Sequence, residues 1–113
     1  MKSAIQLYRQ HRLLVSSSKA LEKQLLDKLC YQLAQAMAQD DIFVLLDAIA
    51  AQRQFWCTLS ALLTDEHHPY PPDLRQQLAE IAAEVLQQLQ LDPEQADLAF
   101  VLQISQQLAL ALS

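Results

Sequence analysis

Pro72-Asp73-Leu74-Arg75-Gln76-Gln77-Leu78-Ala79-Glu80-Ile81-Ala82-Ala83-Glu84-Val85-Leu86-Gln87-Gln88-Leu89-Gln90-Leu91 is the stretch whose pattern decides the fold. Leu74, Leu78, Ile81, Val85 and Leu89 recur at 4-3-4-4 spacing, the period of an α-helix with one face buried. The residues between them are mostly Gln, Glu and Ala, all good helix formers. Pro72 fits the first turn, where its missing N–H costs nothing.

Working outward, Asp92-Pro93-Glu94-Gln95 reads as the strongest helix start in the chain, with Asp92 as N-cap, Pro93 at the first helical position and Gln95 able to reach back. The helix expected there carries Leu98, Val101, Leu102, Ser105, Leu108 and Leu112. Upstream, Thr64–Pro72 is the one clear loop. Its three prolines fix their own φ and push the preceding residues out of the α region, so it is extended and fairly rigid. Before it, a helix runs from a cap at Asp40 or Asp41 to about Leu63. Leu45, Ile49, Trp56, Leu59 and Leu63 mark its buried side, and Leu46, Phe55 and Leu62 widen it. Earlier still, Ser17 is the expected N-cap of a helix to about Gln39, with a stripe of Leu21, Leu25, Leu29 and Leu33 joined by Leu26, Cys30 and Met37. A first, short helix spans about Lys2 to Leu14. Ile5, Tyr8 and Arg12 fall on one stripe, with Ala4, Leu7 and His11 beside it. A helix this short and weakly apolar must dock or fray.

The expectation is therefore an all-α protein: an antiparallel helical bundle of four main helices plus a short N-terminal helix. Residues 1–113 form a single helical domain, in which segment 1–15 is free to move. Short links between long helices favour antiparallel neighbours. Composition agrees. The 113 residues include no Gly and no Asn, against 17 Gln and 23 Leu; at about 7% usage, roughly eight Gly were expected. Gly and Asn are the residues that reach positive φ cheaply. Their absence disfavours tight hairpins, all-β folds, and the Gly-rich loops that bind nucleotides. Helices must also end without the usual residue at C′, so irregular helix C-termini are expected.

Net charge is −5, unevenly spread. Residues 1–28 hold Lys2, Arg9, Arg12, Lys19, Lys23 and Lys28 against Glu22 and Asp27, whereas residues 29–113 hold Arg53 and Arg75 against eleven acids. That excess of acid makes a nucleic-acid partner unfavourable over most of the surface. The basic stretch reads as a solvated helix face, as a patch for nucleic acid or anionic lipid, or as a segment that docks onto the acidic remainder of its own chain. Cys30 and Cys57 sit in apolar helical contexts and read as reduced, buried thiols. Met1–Val15 lacks an apolar h-region, and no uncharged apolar run reaches the roughly 18 residues of a membrane span. A cytoplasmic protein is expected.

Nothing assembles into chemistry. His11, His67, His68, Cys30 and Cys57 form no His-x-x-x-His or Cys-x-x-Cys pair, so no metal and no cofactor is assigned. The serines sit at caps and chain ends, and Cys57 has no His at helical spacing, so no catalytic residue is assigned and the chain is not read as an enzyme. Trp56, the only Trp, reads as a core anchor whose indole N–H needs a polar partner. Arg53, one turn before it, stacks or pairs there. Arg75 lies near a helix N-terminus, the wrong end for a cation, and calls for a fixed carboxylate or carbonyl partner, a ligand, or a salt bridge to Asp65, Glu66 or Asp73.

These features occur together in one family. Gln52-Arg53-Gln54-Phe55-Trp56, then Pro69-Tyr70-Pro71-Pro72-Asp73-Leu74-Arg75, then Val101-Leu102-Gln103-Ile104-Ser105 through Leu112 stand in the order seen in the FlaF family of flagellar biosynthesis regulators, and Ala4 with Tyr8 fits that family's early Ala-x-x-x-Tyr. The chain resembles that family over nearly its whole length. It departs where the family has Asn (Gln52, His68 and Ser105 here) and where it has a near-terminal Gly (Ala111 here). The resemblance implies a flagellar biosynthesis protein that handles flagellin before export. Its expected role is a secretion chaperone or regulator covering one of flagellin's terminal amphipathic helices, with other flagellar regulators or export components as further partners. Tyr8, Arg53, Trp56, Pro69, Tyr70, Pro71, Leu74 and Arg75 become the candidate family-motif and partner-binding residues. Two other readings are a post-transcriptional regulator of flagellin synthesis and a self-associating helical assembly protein.

Overall fold

The computed structural model describes residue 5 and residues 19–67 and 70–111. Its elements are α1 (Lys19–Ala38), α2 (Ile42–Leu63), α3 (Pro72–Gln90) and α4 (Leu98–Ala111), with no strand among the described residues. The expected first helix, the Ser17 cap, Pro69 and Leu112 lie outside the described residues. Ile5 alone of that early segment is described; it is helical and packs, half-buried, against the core.

The α1–α2 and α2–α3 links each reverse the chain. Arg53 in the middle of α2 reaches Leu89 at the end of α3, while Asp65, just beyond α2, meets Arg75 in the first turn of α3. Later positions on one helix thus face earlier positions on the other, which makes the pair antiparallel. Gln52 likewise reaches back to Leu29 on α1. Neighbours in sequence are neighbours in space, and α4 closes the ring by packing on α1, where it lies more closely than on α3.

The core follows the helical period. The buried residues of α3 are Leu74, Leu78, Ala82, Val85 and Leu89, so the deciding stripe is buried as read except that Ala82 takes the central place and Ile81 is half-buried beside it. On α2 the buried line is Ala48, Ile49, Gln52, Trp56, Leu59 and Leu63. Leu46 and Leu62, expected to widen that line, are exposed instead. On α1 the buried stripe is Leu26, Leu29, Cys30, Leu33 and Ala36, while Leu21, Leu25 and Met37 are exposed. At 3.6 residues per turn, Leu25 falls at the edge of that stripe and Leu21 beyond it. Met37 lies one residue from the helix end. Among the described helices α1 packs mainly on α2 and α4, and its buried face is narrower than its apolar one.

The helix ends show how a chain without Gly stops. No described residue has positive φ. α2 ends at Thr64, in αR conformation, whose N–H bonds Ala61 O at 3.3 Å and whose hydroxyl bonds the same oxygen at 2.8 Å, while the Asp65 N–H bonds Leu62 O at 3.3 Å. α3 ends where Leu91 N–H bonds Gln88 O at 3.1 Å and Arg53 caps Leu89 O. Tight i→i+3 closures and side chains from elsewhere thus replace the αL residue. Starts are more regular. Asp41 caps α2, its Oδ1 accepting from Phe43 N–H at 3.0 Å and Val44 N–H at 3.4 Å. Pro72 opens α3 as expected.

The start at Asp92 is a correction. Asp92–Ala96 forms an isolated turn, with the Gln95 and Ala96 N–H groups bonded to Asp92 O, and α4 begins only at Leu98. Its cap is Asp97, whose Oδ1 accepts from Phe100 N–H at 3.0 Å. The Gln88 side chain holds Asp97 N–H at 2.8 Å, tying that cap to the end of α3.

Candidate functional site

α1 and α2 each carry more apolar residues than the core covers, and part of that surplus, Leu25 and Leu62, faces one groove. Leu25 and Leu29 on α1, Phe55, Leu59 and Leu62 on α2, and Tyr70 from the following link form its apolar lining. The volume is about 510 Å³. Small Ala51 leaves room at one end, and Glu22, Lys28, Gln32 and Gln54 supply a polar rim. Leu25 is 46% exposed and Leu62 53% exposed, large values for leucines facing each other across two packed helices. Such a trough, apolar along its floor and polar at its edges, has the form that accepts an amphipathic helix.

Behind the groove lies a buried polar network. Trp56 is 1% exposed, and its indole Nε1–H donates to Gln52 Oε1 at 3.0 Å. The Ser105 hydroxyl on α4 lies 3.1 Å from the same oxygen and 2.8 Å from Val101 O, and Gln52 Nε2 points to Leu29 O on α1 at 3.5 Å. An indole nitrogen only donates, so the amide oxygen must face it, which fixes the orientation of Gln52. One glutamine side chain therefore links α1, α2 and α4 through the middle of the bundle. Phe55 meets Trp56 edge to face, with centroids 5.4 Å apart and planes at 87°, so the groove floor rests directly on this network. Gln52 and Ser105 are two of the positions where the chain departs from the family's Asn, and here they bond to each other.

The two arginines act as fasteners. Arg53 Nη2 donates to Leu89 O at 2.8 Å, so its partner is the C-terminus of α3, where a cation complements the dipole. Replacing Arg53 by Met should therefore lower stability by about 1 kcal/mol, the scale of a half-exposed charged hydrogen bond, and raise amide exchange in the last turn of α3. Arg75 Nη1 donates to the backbone oxygen of Asp65 at 2.9 Å, the fixed carbonyl partner its position calls for, and so pins the link to the first turn of α3.

The thiols separate. Both are free; Cys30 is buried, whereas Cys57 is exposed rather than buried. Burial pushes the Cys30 thiol above its ordinary pKa, the Asp27 carboxylate adds to this, and Lys23 opposes it. The thiolate is the reactive form. Native protein at pH 8 should therefore take up one equivalent of a thiol reagent quickly, at Cys57, and the second only on unfolding. Two equivalents at one rate would contradict the burial of Cys30.

The candidate residues thus fall in different places. Trp56 and Leu74 are core. Arg53 and Arg75 fasten helix ends, and Pro71 is the exposed N-cap of α3. Tyr70, 4% exposed, lines the groove. Tyr8 and Pro69 lie outside the described residues. Sequence reading did not single out Leu25, Phe55 and Leu62 as groove residues; the available signal was an apolar face wider than one packing neighbour needs. No group of three His, Cys, Asp or Glu side chains suited to a metal occurs among the described residues, and none of their helices is long and apolar enough to cross a membrane.

No curated protein and no solved structure matches the chain. The sequence model of one family, described as Flagellar protein FlaF, matches residues 4–112, nearly the whole chain. The motif order, the all-helical bundle and this match agree: the chain belongs to the FlaF family of flagellar proteins.

Proposed function

We propose that this flagellar protein binds flagellin in the cytoplasm, taking one of its terminal amphipathic helices into the α1–α2 groove and so keeping the subunit from assembling before export. The observation that carries the reading is the groove itself, an apolar floor of Leu25, Leu29, Phe55, Leu59 and Leu62 between polar rims. An amphipathic helix laid there buries its apolar stripe and leaves its polar face in water. Binding of this kind needs no cofactor and no reaction.

The test is a titration of the full chain with flagellin from the same organism, or with peptides from its terminal helices. Saturable binding is expected. Leu62→Asp, on a half-open side chain, should weaken it at least about tenfold, roughly 1.4 kcal/mol, while leaving the helical CD signal and the melting temperature in place. Absence of binding to every flagellin of that organism would defeat the proposal.

A further inference from the structure

We propose that the client groove is one half of a longer seam. The seam takes a single heptad-spaced helix of about eighteen residues, and its far half, with Lys28, Gln32, Gln35 and Gln39, sets the register of that helix through a carboxylate and amide or hydroxyl side chains. This rests on the client reading above and adds the chemistry by which the same site selects its partner.

Continuity is the first observation. The leucine-lined groove does not stop at Gln32. Lys28 and Gln32 also line a second hollow of about 530 Å³, which continues toward the α1–α2 turn with Gln35 and Gln39 on one side, Val44 on the other and Tyr31 at the rim. Because the two hollows share those two residues, they form one trough. From Val44 to Leu62 along α2 it runs about 27 Å. Gln39 lies just past α1, yet its N–H still bonds Ala36 O at 3.3 Å, so the last turn carries the wall onward.

Spacing is the second. Leu25, Lys28, Gln32, Gln35 and Gln39 follow one another at 3-4-3-4 intervals. Opposite them, Val44, Ala51, Phe55, Thr58 and Leu62 stand at 4-3-4-3-4 intervals once the buried Ala48 is counted. Heptad spacing on two neighbouring helices receives a third helix by knobs-into-holes packing, and the contact residues of that third helix must recur at the same spacing.

Polarity is the third. The trough is leucine and phenylalanine at one end and amides at the other, with Lys28 at the junction. Polar groups on such a seam specify register, because a helix slipped by one heptad would set hydrocarbon against them. Lys23 is paired with Asp27 at 3.2 Å, whereas Lys28 is exposed and has no ion pair among the described residues. A carboxylate on the partner complements that charge.

The probe is a synthetic helix of about eighteen residues, titrated into the full chain. One half carries leucine on its heptad seam; the other carries glutamine there, with one glutamate next to the leucine half to meet Lys28. It is made in both sequence orders, since either chain direction can lie in the trough. Saturable binding of one order is expected. Inserting one alanine between the halves turns one of them about 100° out of the seam and should weaken binding at least about tenfold. Lys28→Glu should weaken it about tenfold at low salt and less at high salt, and lysine in place of the probe's glutamate should restore it. Helical CD checks that the variant is folded. An insertion or a Lys28→Glu change without effect overturns the seam. So does a dimer of the chain alone that Lys28→Glu breaks, which would make a second copy the occupant. Peptides from flagellin's terminal helices, with and without the same insertion, separate the two proposals. Flagellin binding that ignores the insertion keeps the client and removes the seam. Binding of the synthetic helix but of no flagellin removes the client and keeps the seam, and binding of neither removes both.

Discussion

Trp56→Ala should lower the unfolding free energy by about 3–5 kcal/mol, the range for emptying a buried Trp site. Two losses combine. The indole is 1% exposed between α2 and its neighbours, so its removal leaves a cavity that rigid helices only partly close. The substitution also strips Gln52 Oε1 of its strongest donor, leaving that acceptor to Ser105. A domain of this size is stable by about 6–17 kcal/mol at 0.05–0.15 kcal/mol per residue, so the loss is a large share of the total. Denaturant unfolding followed by far-UV CD measures it directly, and the midpoint should fall with little change in slope. A cost under about 1 kcal/mol would mean that Trp56 is not the packed anchor described. Because Phe55 leans edge-on against Trp56, groove binding should weaken as well, even where the variant is still folded.

Gln52→Leu should cost about 2–3 kcal/mol although it replaces a polar core residue by an apolar one of similar size. Burying an apolar group there is favourable by itself. The penalty comes from the partners left behind: the Trp56 indole N–H loses its acceptor in a site closed to water, and an orphaned buried donor costs about 1–3 kcal/mol. Ser105 suffers less, because its hydroxyl keeps Val101 O at 2.8 Å. Ser105→Ala should therefore cost only about 1 kcal/mol. Combining Gln52→Leu with Trp56→Phe removes donor and acceptor together, so the double variant should be more stable than the sum of the singles predicts, by about 1–2 kcal/mol. Additive singles would show that the Gln52–Trp56 bond carries no energy, and the network would then be a consequence of packing rather than a cause of it.

Much of this was legible in the residues. The 4-3-4-4 stripe of α3 needs only local periodicity to declare itself, and Asp41 and Pro72 mark helix starts through groups that act within one turn. Arg75 could be marked as needing a partner because a cation at a helix N-terminus is anomalous wherever the helix goes. Asp92 misled for the same local reason. Its sequence is a sound helix start, but the residues after it close into an isolated turn, and the cap passes to Asp97, which Gln88 holds from the preceding helix.

The partner-binding candidates show the limit most clearly. Trp56, Leu74, Arg53 and Arg75 stand out in the motif, and here they pack the core and fasten helix ends, while the groove takes Phe55 and Tyr70 from the motif stretches and its leucines, Leu25, Leu29, Leu59 and Leu62, from outside them. Gln52 was the subtler case. It lies three residues after Ile49 and four before Trp56, on the buried line of α2, so its burial was implied by spacing, but its partners on α1 and α4 were not.

By itself, the sequence determined the four main helices, the starts of α2 and α3, the lack of αL stops among the described residues and the family, because each depends on residue type and short spacing along one chain. Only the tertiary structure decided which apolar residues are core and which line a groove. That choice depends on where each helix's neighbours sit, and α1 is left with Leu25 at the edge of its buried stripe, over the groove. The same holds for Arg53: its position on α2 is local, but the carbonyl it caps lies 36 residues away and is brought to it only when α3 folds back.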